Sequence, residues 1–296
     1  MCAFDENGIG GPGADDRRRA AYDAAAEIAR KKMERDAPEG AEALKRVDES
    51  DIVVVEGQFD SVERVLRALE LPFSTVSTGQ VERLRLRPEQ LLVVNCPGNI
   101  SSTAVPVIRD FVEAGGTLFT TDWALKHVVE PCFPDTVAYN GRATADDVVR
   151  IEVLRPEHRF LAGVLEEGDD PLWWLEGSSY PIRIVDPEKV EVLITSRELE
   201  EKYGEAPVAV TFPWGEGEVL HMISHYYLQR AELRTARHKM AGGAFVSEKG
   251  VALSPEKAAF MDEMSRGEME AAYSSSRLMA NIIAEKKRGR GPKRPD

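Results

Sequence analysis

Asp122 and His225 are the side chains of this sequence best suited to acid–base work. A carboxylate beside an imidazole can pass a proton or hold a metal ion. Both stand where strand-like runs end, Asp122 after residues 117–121 and His225 after residues 218–224. Glu56, Gln58, Cys96, Asn99 and Trp123 follow the ends of similar runs. In an open parallel sheet, ligands bind beyond the carboxyl ends of the strands. These seven positions therefore make one candidate cleft. Asp122, His225 and Glu56 are its candidate catalytic groups; Gln58, Cys96, Asn99 and Trp123 are its candidate ligand contacts. The plainer alternative is that Asp122 caps the following helix, Trp123 packs, and His225 is a polar strand-end residue.

Other groupings are weaker. His221 and His225 are four apart, a spacing that serves zinc on a helix. On and just past a strand, four residues span roughly 13 Å, so the two cannot share an ion, and no metal site is expected. Trp173-Trp174, beside Asp169, Asp170 and Glu176, offers a surface on which a sugar can stack; a paired tryptophan more often divides into one core and one interface residue. Gly10-Gly11-Pro12-Gly13 has no strand before it and no Gly-Lys-Ser/Thr after it, so it is not a phosphate loop. The charges of residues 198–205 read as a solvated turn, and no cofactor is expected.

The elements that must position these residues follow from apolar spacing. Residues 52–55 and 91–94 are short continuous apolar runs, typical of parallel strands covered on both faces. Residues 62–69 carry apolar residues at helical spacing, and Pro72 stops them. Residues 73–76 read as a second strand. Residues 101–114 read as a helix closed by Gly115-Gly116, followed by a strand at 117–121 and a helix at 123–129. Strand and helix alternating in this way imply right-handed crossovers and a parallel sheet. Later strands are expected at 148–154, 182–185, 190–195, 208–212 and 218–224, with a hairpin turn at 214–217. Ser254-Pro255 opens a helical stretch that runs to about residue 287.

Around this core, residues 1–16 read as disordered and 17–35 as a helix whose only large apolar residues are Tyr22, Ile28 and Met33. Its buried stripe is therefore expected to be thin, and the helix to lie on the surface or meet a partner. The organisation is a disordered start and helical arm over 1–48, an α/β domain over 49–228, an excursion with closing helices over 229–287, and a basic tail over 288–296. The chain has 296 residues and a formal charge of -13, which argues against general nucleic-acid binding. No apolar run is long enough for a membrane span, and no secretory signal is visible. Cys2, Cys96 and Cys132 are few and widely spaced, as free thiols of a reducing, cytoplasmic compartment would be.

The run Leu91-Leu92-Val93-Val94-Asn95-Cys96-Pro97-Gly98, the helix ending Phe111-Val112-Glu113-Ala114-Gly115-Gly116 and the strand Thr117-Leu118-Phe119 together resemble class I glutamine amidotransferase-like domains. The trehalose-utilisation (ThuA-like) branch is nearest. Residues 156–164, 207–225 and 273–283 are similar to later motifs of that branch, so the resemblance spans about residues 51–285. It implies a flavodoxin-like three-layer α/β/α fold with a mostly parallel central sheet. In the amidotransferases a nucleophilic cysteine stands at a sharp strand-to-helix elbow, where a histidine takes its proton. The matching stretch here is Thr120-Thr121-Asp122-Trp123-Ala124-Leu125, without a thiol. His225 is followed by Tyr226 and Tyr227, so the family's His-x-Glu carboxylate is missing as well. Glutaminase activity is not expected. The resemblance instead implies a non-catalytic ligand-binding or protein-assembly module, with protein contacts through the N-terminal arm and C-terminal region. The alternative is a hydrolase or isomerase acting on a small polar or sugar substrate through Asp122 and His225.

Overall fold

The computed structural model describes residues 12–289, apart from 167, 168, 171, 226–234 and 262. The expected disordered start up to residue 11, Tyr226 and Tyr227, and the tail beyond residue 289 lie outside the described residues.

Among the described residues, twelve strands form three sheets. They are β1 (Ile52–Val55), β2 (Ser74–Val76), β3 (Leu91–Val94), β4 (Thr117–Thr121), β5 (Val137–Tyr139), β6 (Asp147–Arg150), β7 (Glu152–Val153), β8 (Leu172–Leu175), β9 (Ile182–Ile184), β10 (Glu191–Thr195), β11 (Pro207–Trp214) and β12 (Gly217–Met222). The main sheet has the order β2-β1-β3-β4-β12-β11-β10-β7. Its first five members run parallel, and β11, β10 and β7 are added antiparallel. The parallel part is the doubly wound order of flavodoxin-like folds, with its switch point between β1 and β3. Every residue of β1, β3, β4 and β12 is buried, which is why β1 and β3 read as unbroken apolar runs instead of alternating ones; β4 and β12 also bury threonines, Glu218 and His221.

Nine α-helices surround the sheets among the described residues: α1 (Pro12–Asp36), α2 (Pro38–Leu44), α3 (Val62–Ala68), α4 (Ala104–Glu113), α5 (Glu130–Cys132), α6 (Arg197–Tyr203), α7 (Gly242–Glu248), α8 (Pro255–Met261) and α9 (Arg266–Lys287). Helix α9 packs against α1, α2 and α3, whereas α4 packs against α5, in the three-layer arrangement the strand order requires. No helix among the described residues is long and apolar enough to cross a membrane.

Several expectations need correction. Residues 12–16 belong to α1. The buried stripe of α1 is broad: Ala21, Tyr22, Ala24, Ala25, Ala26, Ile28, Ala29 and Met33 are all buried. Alanine offers little area, but its small side chain lets α9 approach closely, so this helix is part of the core. Residues 148–154 divide at Ile151 into β6, paired with β8, and β7, paired with β10. Trp173 and Trp174 lie on β8, Trp173 buried and Trp174 half-buried. The long closing helix is interrupted between α8 and α9, where Ser265 and Glu268 form a reciprocal cap.

Lys249 and Lys32 tie α7, α1 and the segment before β8 together. Lys249 Nζ, 1% exposed, lies 2.9 Å from Glu166 and 3.2 Å from Asp169. Lys32 Nζ reaches the other oxygen of Glu166 at 2.5 Å.

Candidate functional site

The carboxyl ends of β1, β3, β4 and β12 meet at one place. At the end of β4, the Asp122 N–H donates to the Met222 carbonyl at 2.9 Å, one further step of the β4–β12 ladder. Its φ of 46° then turns the chain sharply. A residue with a side chain in this region carries strain of about 1–3 kcal/mol, held here by its contacts. The Asp122 side chain does not cap the following helical turn. Its Oδ1 accepts from the Tyr180 N–H at 2.8 Å and its Oδ2 from the Ser179 hydroxyl at 3.1 Å.

β12 ends in a second such turn, with Ser224 at φ 65°, and this brings His225 back over the sheet end. Its Nε2 lies 3.6 Å from Asp122 Oδ2, and its Nδ1 closes on the Glu176 carboxylate. Glu176 belongs to a strap, residues 173–180, laid across the ends of β4 and β12. The Glu176 N–H donates to Ser224 Oγ at 3.0 Å, the Trp173 indole donates to the Ile223 carbonyl at 3.0 Å, and the Trp123 indole donates to the Ser178 carbonyl at 2.7 Å.

β3 supplies the fourth group. Cys96 Sγ, an Asp122 carboxylate oxygen and a His225 ring nitrogen all lie within 4.8 Å of one another, and all three residues are buried. Gly57, after β1, lets the neighbouring loop close on Cys96. A Cβ there would lie 2.3 Å from the Cys96 carbonyl, whereas with glycine the Gln58 N–H donates to that carbonyl at 3.0 Å. Asp60 accepts from the Thr121 hydroxyl at 2.8 Å and the Ser61 N–H at 2.7 Å. A wall of rings flanks the cluster: Trp123 stacks on Tyr180 at 5.5 Å, Tyr180 on Tyr139 at 3.9 Å, and Phe59 meets Trp123 edge-on at 5.3 Å.

Burial dominates the electrostatics. It lifts the Asp122 carboxyl to about 7, against the pull of the Tyr180 N–H and the Ser179 hydroxyl, with nearby Asp60 pushing the same way as burial. It lowers His225, opposed by Asp60. It raises the Cys96 thiol far above its ordinary range, helped by Asp122. Cys96 is therefore the reverse of an activated nucleophile, which needs cationic surroundings. What the cluster can do is move a proton between carboxyl and imidazole, with Glu176 holding the second ring nitrogen, or gather ligands around a cation.

Neither a family model nor a curated protein matches this chain. Among solved structures it is similar to a cytoplasmic protein of Salmonella typhimurium at 13% identity, over 62% of this chain and 91% of that one, with a TM-score of 0.44. It is similar to PurLQS of Thermotoga maritima at 14% identity, over 59% and 86% of the two chains, with a TM-score of 0.45. A ThuA-like protein of Bacteroides uniformis matches at 10% identity, over 60% and 82%, with a TM-score of 0.40. Overlaps at these scores assign no family; the fold rests on the strand order itself.

Of the seven residues expected at the cleft, the structure brings Asp122, His225 and Cys96 together and sets Trp123 beside them. Glu56, Gln58 and Asn99 are exposed. Glu56 uses its N–H on the Val76 carbonyl, and its side chain stays outside the cluster because the chain turns outward after β1. The family's His-x-Glu position is a tyrosine here, but a carboxylate from elsewhere, Glu176 just after β8, lies against His225 Nδ1. His221 bonds Thr120 Oγ1 through Nδ1 at 2.8 Å inside the sheet, apart from His225. Sequence reading also missed Asp60, Ser179 and Tyr180. The one available signal was Glu176-Gly177-Ser178-Ser179, a small polar run directly after an apolar strand.

Proposed function

We propose that this chain is an enzyme, a hydrolase or isomerase acting on a small polar substrate at Asp122 and His225. One observation carries the reading: His225 lies between two carboxylates at the carboxyl ends of the parallel strands, its Nδ1 against Glu176 and its Nε2 3.6 Å from Asp122 Oδ2. A base whose second nitrogen is held by a carboxylate has a fixed tautomer and a steadied cation. His225 Nε2 takes the proton of a water or substrate hydroxyl, Glu176 steadies the imidazolium, and Asp122 exchanges a proton on the other side. The aromatic wall and the exposed Gln58 and Asn99 suit the polar and ring parts of a sugar-like molecule, which is how a sugar substrate enters this reading.

The test is a panel of small esters, lactones, glycosides and amides, run with the parent chain and with Asp122→Asn and His225→Gln. Turnover on one class should fall about 10²- to 10⁴-fold in both variants. Equal rates in folded variants would remove the reading. Saturable binding without turnover of any class would favour a non-catalytic ligand-binding module instead. The assembly form of that second reading draws no support from α1, whose apolar face is already covered by α9.

A further inference from the structure

We propose that Cys96, Asp122 and His225 form a binding site for a divalent transition-metal ion, with zinc the best match to the donors. The three offer one thiolate sulfur, one carboxylate oxygen and one imidazole nitrogen within 4.8 Å of one another. That mixture of soft, borderline and hard donors suits zinc and excludes calcium and magnesium, which take oxygen ligands. Two ligands each about 2.0–2.1 Å from a tetrahedral ion sit about 3.3 Å apart; His225 Nε2 and Asp122 Oδ2 are 3.6 Å apart. Little movement separates the present arrangement from a ligating one.

The surroundings of the ligands are a second, independent argument. A metal-ligating histidine nearly always gives its other nitrogen to a carboxylate or carbonyl, and ligating carboxylates are themselves hydrogen-bonded. His225 Nδ1 faces Glu176. Asp122 is held by the Tyr180 N–H and the Ser179 hydroxyl. Among the described residues, no lysine or arginine pairs with Asp122 or Glu176. Three protein ligands leave one tetrahedral position for water or substrate, the pattern of a catalytic zinc site and not of a structural one. A bound ion would occupy the His225 Nε2 lone pair, so the imidazole would serve as ligand and not as base while the ion is held; any use of the ion in turnover rests on the reading of this cluster as a reaction centre, and the binding of the ion does not.

Cobalt(II) is the probe, because its visible bands report tetrahedral geometry and a near-ultraviolet charge-transfer band reports a sulfur ligand. The metal-free full chain should bind one cobalt ion with both signals, and zinc should displace it. Cys96→Ser should abolish the charge-transfer band although Cys2 and Cys132 remain. Asp122→Asn and His225→Gln should each weaken binding at least a hundredfold, and Glu176→Gln about ten- to a hundredfold. Circular dichroism identifies which variants fold, and any one folded ligand variant is sufficient for the comparison. No cobalt spectrum, a sulfur band that survives Cys96→Ser, or an affinity unmoved in a folded ligand variant would overturn the site. Turnover that depends on Asp122 in a chain that binds no ion sinks the ion alone. An ion bound in a chain whose turnover ignores Asp122 sinks the reaction centre and leaves the ion site standing.

Discussion

Asp122 occupies a backbone conformation that favours glycine, so its side chain must be selected by its surroundings. Asp122→Ala and Asp122→Gly lose the same bonds to Ser179 and Tyr180, but only glycine relieves the strain. The glycine variant should be the more stable by about 1 kcal/mol in urea unfolding. His158 and His221 carry a separate prediction. Burial holds His158 down to about 4 and His221 to about 3. Between pH 6.5 and about 4 the unfolded chain therefore binds more protons than the folded one. Stability should fall as pH falls through that window, by up to about 1.4 kcal/mol per pH unit for each ring. His221→Gln should shallow the slope in unfolding measured at stepped pH. At this scale Asp122, His225 and Cys96 were readable because each ends a strand-like run. Glu176 was not, because no spacing in the sequence links residue 176 to residue 225; only the strap crossing two strand ends does.

Helix α1 shows how element reading fails when burial is carried by alanine. Large apolar residues mark a stripe by their size; Ala24, Ala25, Ala26 and Ala29 mark it only by their absence of bulk, which helix propensity explains equally well. Because Ala25 is fully buried, Ala25→Leu should cost about 1–3 kcal/mol by forcing the helices apart, seen as a lower midpoint in thermal unfolding. The parallel strands were legible from sequence because both their faces are covered. The division of 148–154 was not, since Val148-Val149-Arg150-Ile151-Glu152-Val153-Leu154 reads as one strand and does not show that its two halves pair with different partners. Lys249 follows the last residue of α7, in a stretch that sequence left as an excursion. Lys249→Ala would leave the buried Asp169 with Arg237 alone, at 3.4 Å, while Glu166 keeps Lys32. It should destabilise the chain by about 1–3 kcal/mol, whereas Lys249→Arg should retain most of the stability.

Across the whole molecule, the order β2-β1-β3-β4-β12 places every member of the cluster on the parallel half of the sheet or on the strap that crosses it. The antiparallel half, β11, β10 and β7, lies away from the cluster, and changes at its edge strand should leave the cobalt spectrum of the site intact. The alternation of strands and helices made this architecture readable; in the small sheets β9 and β6 were expected as strands, while their partners β5 and β8 were not. The pairing of α1 with α9 has a consequence in time. The first described helix also packs against α2 and α3, but finds its main cover, α9, more than two hundred residues later, so while a ribosome is still adding the intervening chain the α9-facing part of its alanine face stays uncovered. Contacts this distant in sequence form late. The emerging chain should therefore be most vulnerable to proteases and to association with its neighbours until α9 has left the exit tunnel.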